Sequence, residues 1–146
     1  MILVDANLLI YAHNADAVEH AIARAWLEKE LSQPYRVGLP WPSLLAFLRL
    51  ACNPAVVPAP LRPAIAWQYV EEWLALDNVW IPEPGPGHAA ILAGLFGLSQ
   101  MTGRLVPDAH LAALAIEHGL TLCSTDGDFA KFAGLKWLNP LAALGG

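Results

Sequence analysis

Two short apolar runs stand near opposite ends of a 146-residue chain, and an aspartate follows each. They are Ile2-Leu3-Val4 before Asp5, and Leu120-Thr121-Leu122-Cys123 before Asp126. Apolar runs this short read as strands buried on both faces. Much of the chain between them has a helical period. Val18, Ile22, Ala25 and Trp26 share one face over about residues 16–31, and Ala66, Tyr69, Val70, Trp73 and Leu74 share one over about 64–76. Val37-Gly38-Leu39 and Val79-Trp80-Ile81 are further strand candidates. Strands alternating with helices argue for an α/β fold with a parallel sheet. The length suits one domain over residues 1–146.

Other segments refine this outline. Pro42 to Cys52 reads as a helix with proline in its first turn. Asn53 to Pro63 carries Pro54, Pro58, Pro60 and Pro63, so it is a loop or extended arm. His88 to Gln100 is apolar nearly all round, which predicts a helix that is buried or faces another subunit. Pro107-Asp108 opens a helix that runs to His118 and stops at Gly119. The stretch Gly85-Pro86-Gly87-His88 is a glycine-rich helix start and not a Walker loop.

Composition excludes several classes. Hydrophobic residues make up 56% of the chain, which calls for a dense core or a buried subunit interface. No membrane span is expected, because the continuous apolar part of Pro84–Gly103 is only Ala89–Leu98, about half of what a bilayer needs. The N-terminus lacks the basic region of a signal peptide. Cys52 and Cys123 have no metal-ligand spacing and read as buried thiols of a reducing compartment, so a cytoplasmic location is expected. The net charge of −5 is not that of a basic nucleic-acid binder.

The acids of the chain converge by length alone. The helix from Asp108 to His118 is about 16 Å long at ~1.5 Å per residue. The return strand to Ser124 covers about the same length at ~3.3 Å per residue. Asp126 therefore comes back to the level of Asp108. In open parallel sheets the ligand crevice lies beyond the carboxyl ends of the strands, where Asp5 and Asp126 stand. Taken singly, Asp108 also reads as a helix N-cap and Asp126-Gly127 as a surface turn. Carboxylates brought together without cations repel, and a divalent ion with oxygen ligands removes that penalty. Mg²⁺ or Mn²⁺ suits such a site and supports in-line phosphoryl displacement by an activated water. Asn7 would hold a water beside Asp5, while Ser124 and Thr125 read either as ligands for a carboxylate or phosphate or as turn residues. A phosphatase with Asp5 as nucleophile is disfavoured, since Asn7 stands where such enzymes want a second carboxylate.

Four segments together resemble a known family. They are "MILVDANLLIYA", "WPSLLAFLRLACNP", "VPDAHLAALAIEHG" and "LCSTDGDFAKFAGLKWLNPL". In this order and over nearly the whole chain they resemble a PIN-domain ribonuclease of the VapC toxin type. The resemblance implies a PIN-like three-layer α/β fold, with a short parallel sheet of four or five strands flanked by helices. It implies a Mg²⁺-dependent endoribonuclease that leaves 5′-phosphate and 3′-hydroxyl ends and acts as the toxin of a toxin–antitoxin pair. An RNA substrate, a cognate antitoxin bound across the active-site region and a homodimer are implied with it. Asp5, Asp108 and Asp126 match the family's catalytic acids, and Asp128 an accessory metal-site acid.

One family acid is missing. It belongs near Ala46, and no Asp or Glu occurs between Glu30 and Glu71. A catalytically weak module that binds RNA or antitoxin is therefore the alternative reading. Arg49, three residues after Ala46 on the same helical face, is expected either to bind an RNA phosphate or to pair with a site carboxylate. Setting the four aspartates aside leaves nine acids against eight Lys and Arg, so the remaining surface is nearly neutral. Trp41, Trp67 and Trp73 offer stacking surfaces for bases, although aromatics on helices more often belong to the core. The apolar Ala89–Leu98 helix suits the dimer contact. The Pro42–Cys52 helix and the proline-rich arm suit an antitoxin groove.

Overall fold

The computed structural model describes residues 1–145. Five strands, β1 (Ile2–Val4), β2 (Val37–Gly38), β3 (Val79–Trp80), β4 (Thr121–Cys123) and β5 (Trp137–Leu138), form one parallel sheet in the order β3-β2-β1-β4-β5. Seven helices among the described residues cover its faces: α1 (Ala6–His13), α2 (His20–Leu31), α3 (Trp41–Ala51), α4 (Pro63–Leu74), α5 (His88–Phe96), α6 (Val106–His118) and α7 (Pro140–Gly145). The four-or-five-strand expectation resolves to five. None of these helices is long and apolar enough to cross a membrane.

The central strands are buried on both faces, which is why they are uniformly apolar. Successive side chains of a strand point to opposite faces. Val4 enters a core built with Leu8, Trp26, Phe47 and Val70, from α1 to α4. Its neighbour Leu3 enters a second core with Leu111, Leu114, Leu122 and Phe129, on the side of α5 and α6. Both side chains are completely removed from solvent.

The helix α6 and strand β4 set the level of the acids. Pro107 sits in the first turn of α6, where its missing N–H costs nothing. Gly119 ends the helix in the left-handed region at φ 68°, and its N–H bonds to the carbonyls of Ala115 and Ile116. Leu120 N–H then bonds to Ala115 O at 2.8 Å, turning the chain straight into β4. The register Leu3↔Leu122 and Val4↔Cys123 leaves Asp5 level with Ser124.

Several elements differ from the sequence reading. Asp5-Ala6-Asn7 opens the helix α1, with Asp5 as its N-cap. Residues 14–19 form turns, so α2 begins only at His20. The edge strand β5 is an addition; two residues carry no readable period. Cys52 is half-buried, whereas Cys123 is buried as expected and its burial pushes the thiol pKa up to about 12. The helix α5 is not buried all round. His88 and Leu95 face inward, while Ala89, Ala90, Ala93 and Phe96 are exposed. Its start is held by Glu117 of α6, whose carboxylate accepts the N–H groups of Gly85 and Gly87 at 2.8 Å each.

Candidate metal centre

Strand order reverses between β1 and β4, and the crevice beyond their carboxyl ends is where ligands bind in open parallel sheets. Asp5 leaves β1 into this crevice. Its Oδ1 accepts the Ala6 N–H at 2.8 Å, capping α1. Its Oδ2 accepts the Ser124 hydroxyl proton at 2.7 Å. Ser124 is fully buried at the end of β4 and is the hub of the site. Its Oγ accepts Asn7 Nδ2–H at 3.0 Å and the Asp126 backbone N–H at 3.0 Å. Its carbonyl accepts Trp137 Nε1–H of β5 at 3.0 Å. One hydroxyl thus ties both strand ends together. Thr125 contributes only its backbone N–H, which approaches Asn7 Oδ1 at 3.5 Å.

Asp126 caps a short 3₁₀ turn, Gly127–Lys131, by accepting the Asp128 N–H on Oδ1 at 2.9 Å. Asp108 stands in the first turn of α6, one helix length from the Gly119 stop. It is not the N-cap: Leu105 is, and no side-chain bond caps this helix. Asp108, Asp126 and Asp128 each bring an oxygen within 4.8 Å of the others. Asp5 lies outside that set but close enough for its charge to act on Asp108.

The three acids of the cluster differ in their partners. Burial, followed by the carboxylates of Asp126, Asp5 and Asp128, pushes the Asp108 pKa up to about 6 against a partial offset from Arg104. Among the described residues its carboxylate accepts no hydrogen bond. Burial also raises Asp5, opposed by its bonds to Ser124 and Ala6 and reinforced by Asp126. Asp128 goes the other way. Lys131 Nζ sits 2.8 Å from its Oδ1 and Arg104 Nη1 2.8 Å from its Oδ2, and these bonds hold its pKa below the ordinary value. Asp5 and Asp108, both raised by burial and by neighbouring negative charge, leave an unneutralised charge in want of a cation. An all-oxygen donor set of carboxylates fits a hard divalent ion such as Mg²⁺ or Mn²⁺.

Among the described residues no hydrogen bond or ion pair joins the remaining candidates to this cluster. Arg49 is exposed in the last turn of α3 and makes no ion pair among the described residues. Ala46 is half-buried in the same helix, which carries no acid. Trp73 packs against the first core, while Trp41 and Trp67 stack in parallel with ring centres 6.3 Å apart. His110 pairs with His88, Nδ1 to Nε2 at 3.2 Å, rather than with the acids. An open cleft of about 440 Å³ lies among α1, α2 and α4, and none of the clustered acids lines it. Sequence reading missed Arg104 and Lys131 as members of the site. Their spacing was the available signal, four residues before Asp108 and three after Asp128.

Comparison with known proteins gives the following. The PIN domain family profile matches residues 2–135. The chain is 42% identical over 144 residues to ribonuclease VapC37 of Mycobacterium tuberculosis, covering 99% of this chain and 100% of that protein. Its structure resembles a toxin–antitoxin complex chain from Klebsiella pneumoniae with a TM-score of 0.62, at 21% identity and covering 96% and 98% of the two chains. It also resembles the sarcin–ricin loop cleaving toxin VapC20 of M. tuberculosis with a TM-score of 0.66, at 19% identity and covering 93% and 99%.

Proposed function

Since this chain belongs to the PIN-domain family, we propose that it is a metal-dependent endoribonuclease, the toxin of a toxin–antitoxin pair. The convergence of Asp108 and Asp126, with carboxylate oxygens within 4.8 Å of each other at the switch point of the sheet, carries this reading. Identity of 42% to a ribonuclease over essentially full length supports RNA as the substrate. On this reading residues 1–146 form one PIN-like domain that works in the cytoplasm.

Asp108 and Asp126 would hold the ion, with Asp5 reaching it through a water. Mg²⁺ or Mn²⁺ would supply charge stabilisation at the phosphoryl group and lower the pKa of water at neutral pH. The protein does the positioning. Ser124 keeps Asp5 and Asp126 at fixed separation through bonds of 2.7 and 3.0 Å. Asn7, held on the same hydroxyl, accepts the Thr125 N–H at 3.5 Å on one lone pair of its amide oxygen and keeps the other to orient a water. Asp108, whose oxygens accept no hydrogen bond among the described residues, keeps both for a cation. The N-termini of α1 and α6 open on the same crevice, and their dipoles favour the anionic phosphodiester.

Partners follow from the exposed apolar surface. Leu45 on α3 and Val56 on the proline-rich arm are 58% and 37% exposed, which suits an antitoxin groove. The outer face of α5, with Ala89, Ala93 and Phe96, suits a homodimer contact. The test of the enzyme reading is cleavage of RNA with Mg²⁺, with EDTA and by Asp108→Asn. Cleavage is expected only for the wild type with metal; activity that survives both chelator and substitution refutes the mechanism.

The acid-free helix α3 favours a second reading, a catalytically weak PIN module. Under that reading Ala46→Glu raises turnover. Robust turnover by the wild type excludes it.

A further inference from the structure

Asp128 is grouped by distance with Asp108 and Asp126, yet its surroundings are different. Each of its oxygens already carries a cation, Lys131 Nζ on Oδ1 and Arg104 Nη1 on Oδ2, both at 2.8 Å. Among the described residues it is the one carboxylate with two such partners. A metal ion bound directly by Asp128 would have to displace one of them. Asp108, by contrast, has no hydrogen-bond or ion-pair partner to give up among the described residues.

We infer that Asp128 is not a metal ligand but an anchor, which holds Arg104 and Lys131 beside the metal centre as the clamp for an RNA phosphate next to the scissile one. The inference rests on the ribonuclease reading above. Three features carry it. First, the pairing leaves one net positive charge in a crevice otherwise lined by acids, and an RNA backbone needs such a charge to approach them. Second, the donors are not used up. Arg104 is 68% exposed with one of its five N–H groups engaged by Asp128, and Lys131 has an ammonium with further protons to give. A guanidinium fixed at one end presents its remaining fork to a phosphate, which is the geometry Arg favours.

Third, the two cations stand on short, well-anchored turns. Arg104 belongs to the 3₁₀ turn Gly103–Leu105 that runs into α6, and the neighbouring Leu105 is buried. Lys131 ends the turn Gly127–Lys131, which is pinned by buried Phe129 and Phe132. The backbone under both groups is therefore held at a fixed distance from Asp108 and Asp126. Two long side chains gripped at their tips by one carboxylate lose less freedom when they bind a phosphate than two free ones would.

The experiment has two arms on the full-length protein. In the first, Mn²⁺ binding is measured by electron paramagnetic resonance for the wild type, Asp108→Asn and Asp128→Asn. Even a group that only supports a metal's ligands typically costs about 10-fold or more in affinity when removed, and a direct ligand costs no less. That loss is expected for Asp108→Asn, while Asp128→Asn stays within about threefold of the wild type. A loss of about 10-fold or more in Asp128→Asn overturns the inference. In the second arm, kcat and KM for a single-stranded RNA are measured against salt for Arg104→Gln and Lys131→Gln. Each is expected to raise KM several-fold with a smaller effect on kcat, and to flatten the slope of log affinity against log salt by about 0.7. An unchanged KM and slope overturn the inference while wild-type cleavage leaves the ribonuclease reading standing. Absence of wild-type cleavage with Mg²⁺ overturns both.

Discussion

Replacing Asp108 by Asn should stabilise the metal-free protein. The carboxyl of Asp108 is shifted from an ordinary 3.8 up to about 6, chiefly by burial and by the charges of Asp126, Asp5 and Asp128. A raised acid means that the folded state holds its proton more tightly than the unfolded chain does. Its contribution to stability is therefore full below the unfolded value and is lost as pH rises through about 6. Two units correspond to about 3 kcal/mol at neutral pH. Asp108 is half-buried, and solvent screening reduces that to roughly 1–2 kcal/mol. Asn also gives up the favourable charge in the first turn of α6, worth about 0.5 kcal/mol. The net gain is about 1 kcal/mol, or a Tm higher by about 3 °C for a chain of this size.

The assay is thermal unfolding followed by circular dichroism in EDTA. At about pH 7.5 Asp108→Asn should melt above the wild type, and at about pH 4 the difference should shrink to a small fraction, because Asp108 is protonated in the folded state and already partly protonated in the unfolded chain. Added Mn²⁺ should reverse the order, since an ion at about 100 times its Kd stabilises its host by about 2.7 kcal/mol. The variant lacks the ligand and gains less. A variant that melts below the wild type at about pH 7.5 in EDTA, or a gain of equal size at about pH 4, refutes the account of the site as carboxylates awaiting a cation.

Ser124→Ala removes a buried hydroxyl with three partners and should cost about 2 kcal/mol in urea unfolding, with RNA cleavage falling as Asp5 and Asp126 lose their common tie. Gly119→Ala places a side chain at φ 68° with no atom within 4 Å of the added Cβ, so the expected loss of about 1–2 kcal/mol is purely conformational. Phe129→Ala empties a fully buried position under the Gly127–Lys131 turn and should destabilise the fold by about 3–5 kcal/mol, measured by the same unfolding curves.

The legible part of this chain followed from regular spacing. Apolar runs such as Ile2–Val4 read as strands because buried parallel strands have no polar face to show. The helix over Val106–His118 was readable from its proline start and glycine stop. Two elements were harder to read. The helix α1 begins with Asp5-Ala6-Asn7, residue types that serve a turn equally well. The strand β5 exists because Leu122 of β4 and Ser124 just after it supply the carbonyl partners Lys136 and Leu138 with N–H groups, and two residues have no period of their own.

By itself the sequence determined the α/β alternation, and through helix and strand lengths it placed Asp5, Asp108 and Asp126 at the level of the carboxyl ends of the strands. Lengths along the chain are local quantities, so they survive without knowledge of the tertiary structure. What each carboxylate touches is not local. Only the folded structure decided that Ser124, 119 residues from Asp5, binds it, that Asp108 has no bonding partner among the described residues, and that Asp128 is already held by Arg104 and Lys131. These contacts depend on side chains brought together across strands and turns. They turn three similar aspartates into groups with different tasks.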